Sequence, residues 1–466
     1  MSTAGTAGSG APRPWIEYTR IRELRGPLAV VRGVDGVGFD EAVTIGLDGG
    51  GQRHGVVLEV AGDLAVVQVM EGTAGMRPDG TAMRFAGRPM TVPVGDRWLG
   101  RICTGRGEPA DGGPPVTGRR ASVSGDPINP TRREPPADPV LTGVSAIDAM
   151  TTLVRGQKLP IFSVPGLPHL ELATQIATQA TAGDAAFCVV FAGMGLSHAD
   201  AQTVRDALDP RLAAGELVLL LNTADDPVIE RILTPRLALT IAEDLAFTGG
   251  RHVLVVLSDM TSYAEALREV SAARGEIPAR RAYPGYLYSD LASLYERCGR
   301  LRGRPGSLTL LPVLTMPAGD ITHPVPDLTG YITEGQIVLS AEAPGYPPID
   351  PLASLSRLMR HGAGPGRTRD DHLDVAAQML SALARVRQVR ELAEIVGDAA
   401  LSRIDHRYLD FAAAFADDLV AQGGGENRSL DETLDRAWRT LNRLPRSELT
   451  MVSAAVLADR HTEPAD

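Results

Sequence analysis

The segment best placed to do chemistry is Ser163-Val164-Pro165-Gly166-Leu167-Pro168-His169-Leu170, which lies between an apolar run and a stretch of helical periodicity. A loop that follows a strand and opens a helix is where backbone N–H groups hold phosphate. A working phosphate loop reads GxxxxGK[ST]: its lysine meets the β- and γ-phosphates and its hydroxyl holds magnesium. Aligned on Gly166, the lysine position holds Pro168 and the hydroxyl position His169. Both chemical groups are missing, and proline also removes a backbone donor. Gly166, Pro168 and His169 therefore read as a degenerate phosphate loop with no metal ligand.

Two other parts of a nucleotide hydrolase can be tested. Ser258-Asp259 closes the apolar run Val253–Leu257, as a magnesium-binding aspartate would, yet any parallel strand can end in Asp. After the strand candidate Ala186–Phe191 comes Ala192-Gly193-Met194-Gly195, read as a loop. A hydrolase would want a water-orienting group there, and Met194 can polarise nothing. His323, between Thr322 and Pro324, reads as a structural loop histidine rather than a ligand. Cys103, Cys188 and Cys298 lie far apart without metal-ligand spacing, and read as buried reduced thiols of a cytosolic protein.

These groups need a scaffold, and 466 residues exceed the size at which one core keeps growing, so two or three domains are expected. Residues 1–14 are Gly, Ala, Ser, Thr and Pro around few others, and read as a disordered tail rather than a signal peptide. Across 15–85, short β-type runs such as Val56–Val60 and Ala65–Val69 are separated by turn residues, Ala61-Gly62-Asp63 among them. That spacing predicts a small N-terminal β-barrel. Residues 86–365 begin with Gly/Pro-rich extended sequence over Arg101–Pro139. Strand candidates then follow at Lys158–Ser163, Ala186–Phe191, Leu217–Asn222, Val253–Ser258 and Leu308–Leu314. Helical stretches at Glu171–Thr181, Pro227–Phe247 and Ser262–Arg274 alternate with them, which predicts a parallel α/β sheet. Residues 366–466, with Leu373–Val396 and Tyr408–Gln422, read as an all-helical domain. The net charge of -11 argues against non-specific binding of nucleic acid or an anionic bilayer. No apolar run reaches the ~18 residues of a membrane span.

Three long runs carry a resemblance. Leu141-Thr142-Gly143-Val144-Ser145-Ala146-Ile147-Asp148 through Leu159-Pro160-Ile161-Phe162-Ser163, Tyr283-Pro284-Gly285-Tyr286-Leu287-Tyr288-Ser289-Asp290, and Asp320-Ile321-Thr322-His323-Pro324 through Glu334-Gly335-Gln336 closely resemble the B subunits of V-type and archaeal-type rotary ATPases. The likeness runs from about Tyr18 and weakens after Arg390. It implies a β-barrel, a nucleotide-binding-type α/β domain and a helical domain. It also implies a hexameric head in which a non-catalytic, regulatory chain alternates with the catalytic A subunits. ATP or ADP with magnesium would be held mainly by the catalytic neighbour, with no cofactor of this chain's own. In the segment Leu352-Ala353-Ser354-Leu355-Ser356-Arg357-Leu358-Met359, the resemblance makes Arg357 the arginine offered in trans to that ATP, with Ser356 and Tyr331 at the same interface. Further implied partners are a central rotor stalk and a peripheral stalk, on the cytoplasmic face of a membrane that the chain does not enter. The loop departs from the family, which reads closer to Ser-Gly-Ser-Gly-Leu-Pro-His-Asn, so nucleotide at this chain's own loop is disfavoured further. Two other classes stay open on the residues alone. One is an autonomous NTPase, such as a hexameric helicase or export motor. The other is a scaffold that has left the machine, which would have no need of Arg357.

Overall fold

Apolar and polar residues alternate along the first strands, so one face of a curled sheet can be buried while the other meets water. The computed structural model describes residues 17–183, 186–343 and 345–464, and the tail expected over 1–14 lies outside them. Seven antiparallel strands form the N-terminal β-barrel: β1 (Glu17–Tyr18), β2 (Ile21–Arg25), β3 (Leu28–Arg32), β4 (Glu41–Leu47), β5 (Gln52–Ala61), β6 (Leu64–Val69) and β7 (Thr81–Pro89). Their order is β1-β7-β4-β5-β6-β3-β2. Val43, Ile45, Val57, Val67 and Met83 fill the interior. Between β5 and β6 the turn is Gly62-Asp63, with Gly62 at φ +62, a backbone geometry that glycine adopts without strain.

The Gly/Pro-rich segment is extended, as its composition requires. It supplies β8 (Thr91–Val94), β9 (Ile102–Thr104), β10 (Arg119–Ser122), β11 (Arg133–Glu134) and β12 (Pro139–Val140). The α/β domain continues through α1 (Ser145–Met150), β13 (Leu153–Val154), β14 (Ile161–Ser163), α2 (His169–Gln179), β15 (Phe187–Leu196), α3 (His198–Ala213), β16 (Leu217–Thr223) and α4 (Val228–Glu243). Then come β17 (His252–Ser258), α5 (Met260–Arg274), α6 (Leu287–Tyr295), β18 (Gly299–Leu301), β19 (Ser307–Thr315), α7 (Pro324–Ile332), β20 (Gly335–Val338), β21 (Leu355–Ser356) and α8 (Met359–Gly362). The main sheet runs β21-β20-β14-β19-β17-β15-β16-β9 and is parallel along that path except at β21. Val253 to Leu257 are buried on both faces, as their unbroken apolar character requires.

Two expectations need correction. Ala192-Gly193-Met194-Gly195 is no loop: β15 continues to Leu196, pairs with β16 through Met194 opposite Asn222, and buries Met194 completely. Gly195, at φ +70, marks an irregularity in the register rather than the end of the strand. The helix expected over Pro227–Phe247 ends at Glu243 and continues as a π-helical turn, Asp244–Thr248.

The C-terminal helical domain comprises α9 (His372–Val396), α10 (Arg403–Ala414), α11 (Leu430–Leu441) and α12 (Ala454–Arg460). Ser402 and Asp405 form a capping box that fixes the start of α10. Met379, Phe411, Leu434 and Trp438 share one core with Ile147 and Leu153 of the α/β domain. Gln422 ties the two together: its amide donates to Gly143 O at 2.6 Å and its oxygen accepts from Ser145 N at 3.0 Å. Among the described residues no helix is long and apolar enough to cross a membrane.

Candidate functional site

The phosphate-loop segment sits where the sequence places it, between β14 and α2, with Gly166 at φ +93 making the turn. Two of its backbone donors are taken up within the loop itself. Leu167 N donates to Val164 O at 3.3 Å, His169 N donates to Leu167 O at 2.8 Å, and His169 Nδ1 lies 2.9 Å from that same oxygen. Pro168 has no N–H. Laid over the span from the last residue of β14 into α2, the eight-residue motif puts His169 at the lysine position and Leu170 at the hydroxyl position. In this register, as in the one aligned on Gly166, neither lysine nor hydroxyl is present, so the residues do not fit a magnesium nucleotide.

Asp259, at the end of β17, is likewise committed to the fold. Its carboxylate accepts from Thr261 N at 2.6 Å, capping α5, and from Thr315 Oγ1 at 2.7 Å. Burial pushes its carboxyl above the usual carboxylate range, partly opposed by Thr315 and Thr261. His323 caps α7, packs edge-on against Tyr283 at 5.5 Å, and is 5% exposed. Among the described residues no group of His, Cys, Asp and Glu could hold a metal ion. All three cysteines are buried and free.

The other candidate residues gather at the far end of the same strand. β20 runs beside β14 with Ile337 level with Ile161, while Ser356 on β21 lies level with Gly335, at the opposite, N-terminal end. From Lys158 to Ser163 the chain rises roughly 16 Å at about 3.3 Å per residue. Arg357 and the phosphate loop therefore lie at opposite ends of the run Lys158–Ser163, roughly 16 Å apart along the strand direction. Arg357 is exposed. Its N–H donates to Glu334 O at 3.0 Å and its Nη1 to Thr333 O at 3.3 Å. No carboxylate pairs with it among the described residues. Tyr331, 75% exposed at the end of α7, stands two residues before Thr333, and Leu352 and Leu355 add exposed apolar surface nearby in sequence. Ser356 is engaged inward: its hydroxyl donates to Thr152 O at 3.2 Å and accepts from Gln157 Nε2 at 2.9 Å.

An arginine with free donors on a partly apolar rim suits a phosphoryl group brought by another molecule. The comparisons with known proteins identify the family and its three domains. The ATP synthase alpha/beta family nucleotide-binding domain matches residues 143–356, the family's beta-barrel domain matches 21–87, and the C-terminal domain of V and A type ATP synthase matches 361–461. The chain is 52% identical over 451 residues to the B subunit of the A-type ATP synthase of Aeropyrum pernix, covering 96% of this chain and 97% of that protein. This chain belongs to the B-subunit family of V/A-type ATP synthases. Within the solved structures, it is similar to the ATP synthase subunit NeqB from Nanoarcheaum equitans, with a TM-score of 0.70 and 35% identity over 86% of this chain and 98% of that one. An ATP synthase subunit works within a complex, and the nucleotide-binding fold of this family ties the chain to nucleotide chemistry.

Proposed function

We propose that this chain is the non-catalytic member of an alternating hexamer with a catalytic subunit, and that Arg357 reaches the ATP held by that neighbour. The observation that carries the reading is the separation of Arg357 from the chain's own loop. An arginine at one end of the strand cannot serve a nucleotide at the other, yet it is exposed and pairs with no carboxylate among the described residues. Three features speak against hydrolysis by this chain alone: the loop lacks lysine and hydroxyl, Asp259 caps a helix, and Met194, fully buried inside β15, can orient no water. ATP or ADP with magnesium, bound mainly by the catalytic neighbour, supplies the phosphoryl group. Arg357 then stabilises the charge that develops on it, a planar fork meeting two oxygens at once. Closing the interface brings the arginine in, so chemistry is tied to subunit packing and through it to ion translocation. In this reading residues 15–85 join the ring, 86–365 carry the interface and 366–466 face the central rotor stalk. The head sits peripherally on the cytoplasmic face, with a peripheral stalk holding it.

The test is ATP hydrolysis by this chain alone and mixed with its catalytic partner, each with Arg357 and with Arg357→Ala. The expected pattern is no turnover alone, turnover in the mixture, and a fall of ~10³–10⁵ on substitution with assembly intact, about 4–7 kcal/mol of barrier. Turnover by the isolated chain would overturn the reading of the loop. An unchanged rate in the substituted mixture would strip Arg357 of its role.

A further inference from the structure

Lys158 is the only lysine in the chain, and it is almost wholly buried, 3% exposed. Burying an ammonium costs several kcal/mol of hydration unless carboxylates face it. Two do: Nζ lies 2.9 Å from Glu334 Oε1 and 3.1 Å from Glu296 Oε1. Glu334 holds Lys158 a second time, its Oε2 accepting the Lys158 backbone N–H at 2.8 Å. Lys158 itself bridges to Leu310 at the entrance of β14 and is thereby joined to the centre of the sheet. The side chain of Glu334 is thus fixed to the sheet from two directions.

What Glu334 holds in turn is Arg357. The Glu334 carbonyl accepts the Arg357 N–H at 3.0 Å, and the preceding carbonyl, of Thr333, accepts Arg357 Nη1 at 3.3 Å. Gln157 Nε2 steadies the same Glu334 carbonyl at 3.1 Å, and Thr333 Oγ1 anchors the dipeptide to Thr329 O at 2.9 Å. Every hydrogen bond that Arg357 makes among the described residues falls on Thr333-Glu334. The arginine has no carboxylate of its own to aim it among those residues, which leaves its charge for an incoming anion but makes its direction depend on this bracket. A compact ammonium suits position 158, since it can face two carboxylates from a small volume where a planar guanidinium would need a fork-shaped space.

We propose that Lys158 and Glu334 are positioning residues for Arg357: the buried ion pair locks the Thr333-Glu334 bracket, and the bracket sets where the guanidinium meets the neighbour's phosphoryl group. This rests on the trans role of Arg357 proposed above. A misplacement of ~1 Å in a catalytic group can cost ~10²-fold in rate, so loosening the bracket lowers kcat while ATP binding, held elsewhere, is spared.

The experiment uses the complex assembled with its catalytic partner, carrying Lys158→Met or Glu334→Gln, each in the presence of Arg357 and in the Arg357→Ala background. With Arg357 present, either substitution is expected to lower kcat by ~10–10²-fold and to leave the KM for ATP within about twofold. With Arg357 already removed, the same substitution should change the rate less than about twofold, because residues acting through one another do not add. Lys158→Arg, which keeps the charge, should recover part of the rate. The lone lysine gives a second readout. Acylation of Lys158 by an amine-reactive ester, followed by mass spectrometry, should be slow in the native complex and faster in Glu334→Gln. Equal losses in both backgrounds would mean a purely structural ion pair and overturn the proposal. No effect of Arg357→Ala would remove the trans reading and this proposal with it, a result distinct from the first. Should Lys158→Met fail to assemble, Glu334→Gln, which conserves shape, decides the matter.

Discussion

Glu230 offers a test of how charge is buried where the barrel meets the α/β domain. It sits in the first turn of α4 and is 3% exposed. Its nearest cation is Arg106, whose Nε lies 3.9 Å from Oε2. Glu230 Oε1, Arg106 Nε and Asn222 Nδ2 are all buried and lack a hydrogen-bond partner among the described residues. Burial first, and then the charge of Asp226, push the Glu230 carboxyl from 4.5 up to about 7, with Arg106 opposing them. The folded chain therefore holds this proton more tightly than the unfolded chain does. The stability it contributes is complete below pH 4.5, falls as pH rises through 7, and levels off above about 8. The displacement corresponds to roughly 3 kcal/mol of stability lost by pH 8. Glu230→Gln keeps the shape and abolishes the ionisation. It should match the wild type to within about 1 kcal/mol at pH 5 and exceed it by up to about 3 kcal/mol at pH 8. Urea unfolding followed by circular dichroism at both pH values, with unchanged denaturant slopes, measures the difference. Arg106→Met should steepen the wild-type fall, since it removes the group that opposes the shift. Parallel stability curves for wild type and Glu230→Gln between pH 5 and 8 would refute the reasoning.

Arg297, fully buried, meets both Glu243 oxygens at 2.7 Å and also donates to Thr240 Oγ1 and Val123 O. Arg297→Met strands Glu243 and should cost ~3–5 kcal/mol in denaturant unfolding, part of it recovered by adding Glu243→Met. An alanine Cβ at Gly306 would lie 2.0 Å from Ala246 O and 2.6 Å from Arg251 O, both backbone atoms that cannot swing aside. Gly306→Ala should therefore lower stability by ~1–3 kcal/mol, read as a drop in melting temperature. Burial raises the thiols of Cys103 to about 11 and Cys188 to about 12, and Cys298 is raised by burial as well. Iodoacetamide at pH 7.5 should leave all three unmodified in the native chain and label all three in denaturant; rapid native labelling would contradict the burial described.

The central strands are legible in the sequence because an unbroken apolar run such as Val253–Leu257 has few other ways to be buried. α3 escapes notice although Ala201, Val204, Leu208 and Leu212 face inward at helical spacing, since the residues between them are polar and dilute the pattern. β9 is three residues inside a Gly/Pro-rich segment, and only its partner β16 makes it a strand. Gly193 and Gly195 imitate a turn around Met194, which long-range pairing overrides. In the candidate site, the missing lysine and hydroxyl are plain from residue types alone. Arg357 comes from resemblance, because an exposed arginine in an arginine-rich chain carries no local signal. Lys158 and Glu334 lie 176 residues apart, so no spacing rule could join them. The rarity of lysine in this chain is the one available hint.

The placement of Arg357 and the phosphate loop at opposite ends of the run Lys158–Ser163 gives the molecule a polarity. A two-fold dimer would set like ends against like, arginine facing arginine. Under the proposed function, Arg357 meets a site on a catalytic neighbour, so each contact is heterologous, front of one subunit to back of the next, and such contacts either close into a ring or run on as a filament. In that proposed arrangement, closure must come from the angle between neighbours, and a change that opens the angle would produce open filaments rather than smaller rings.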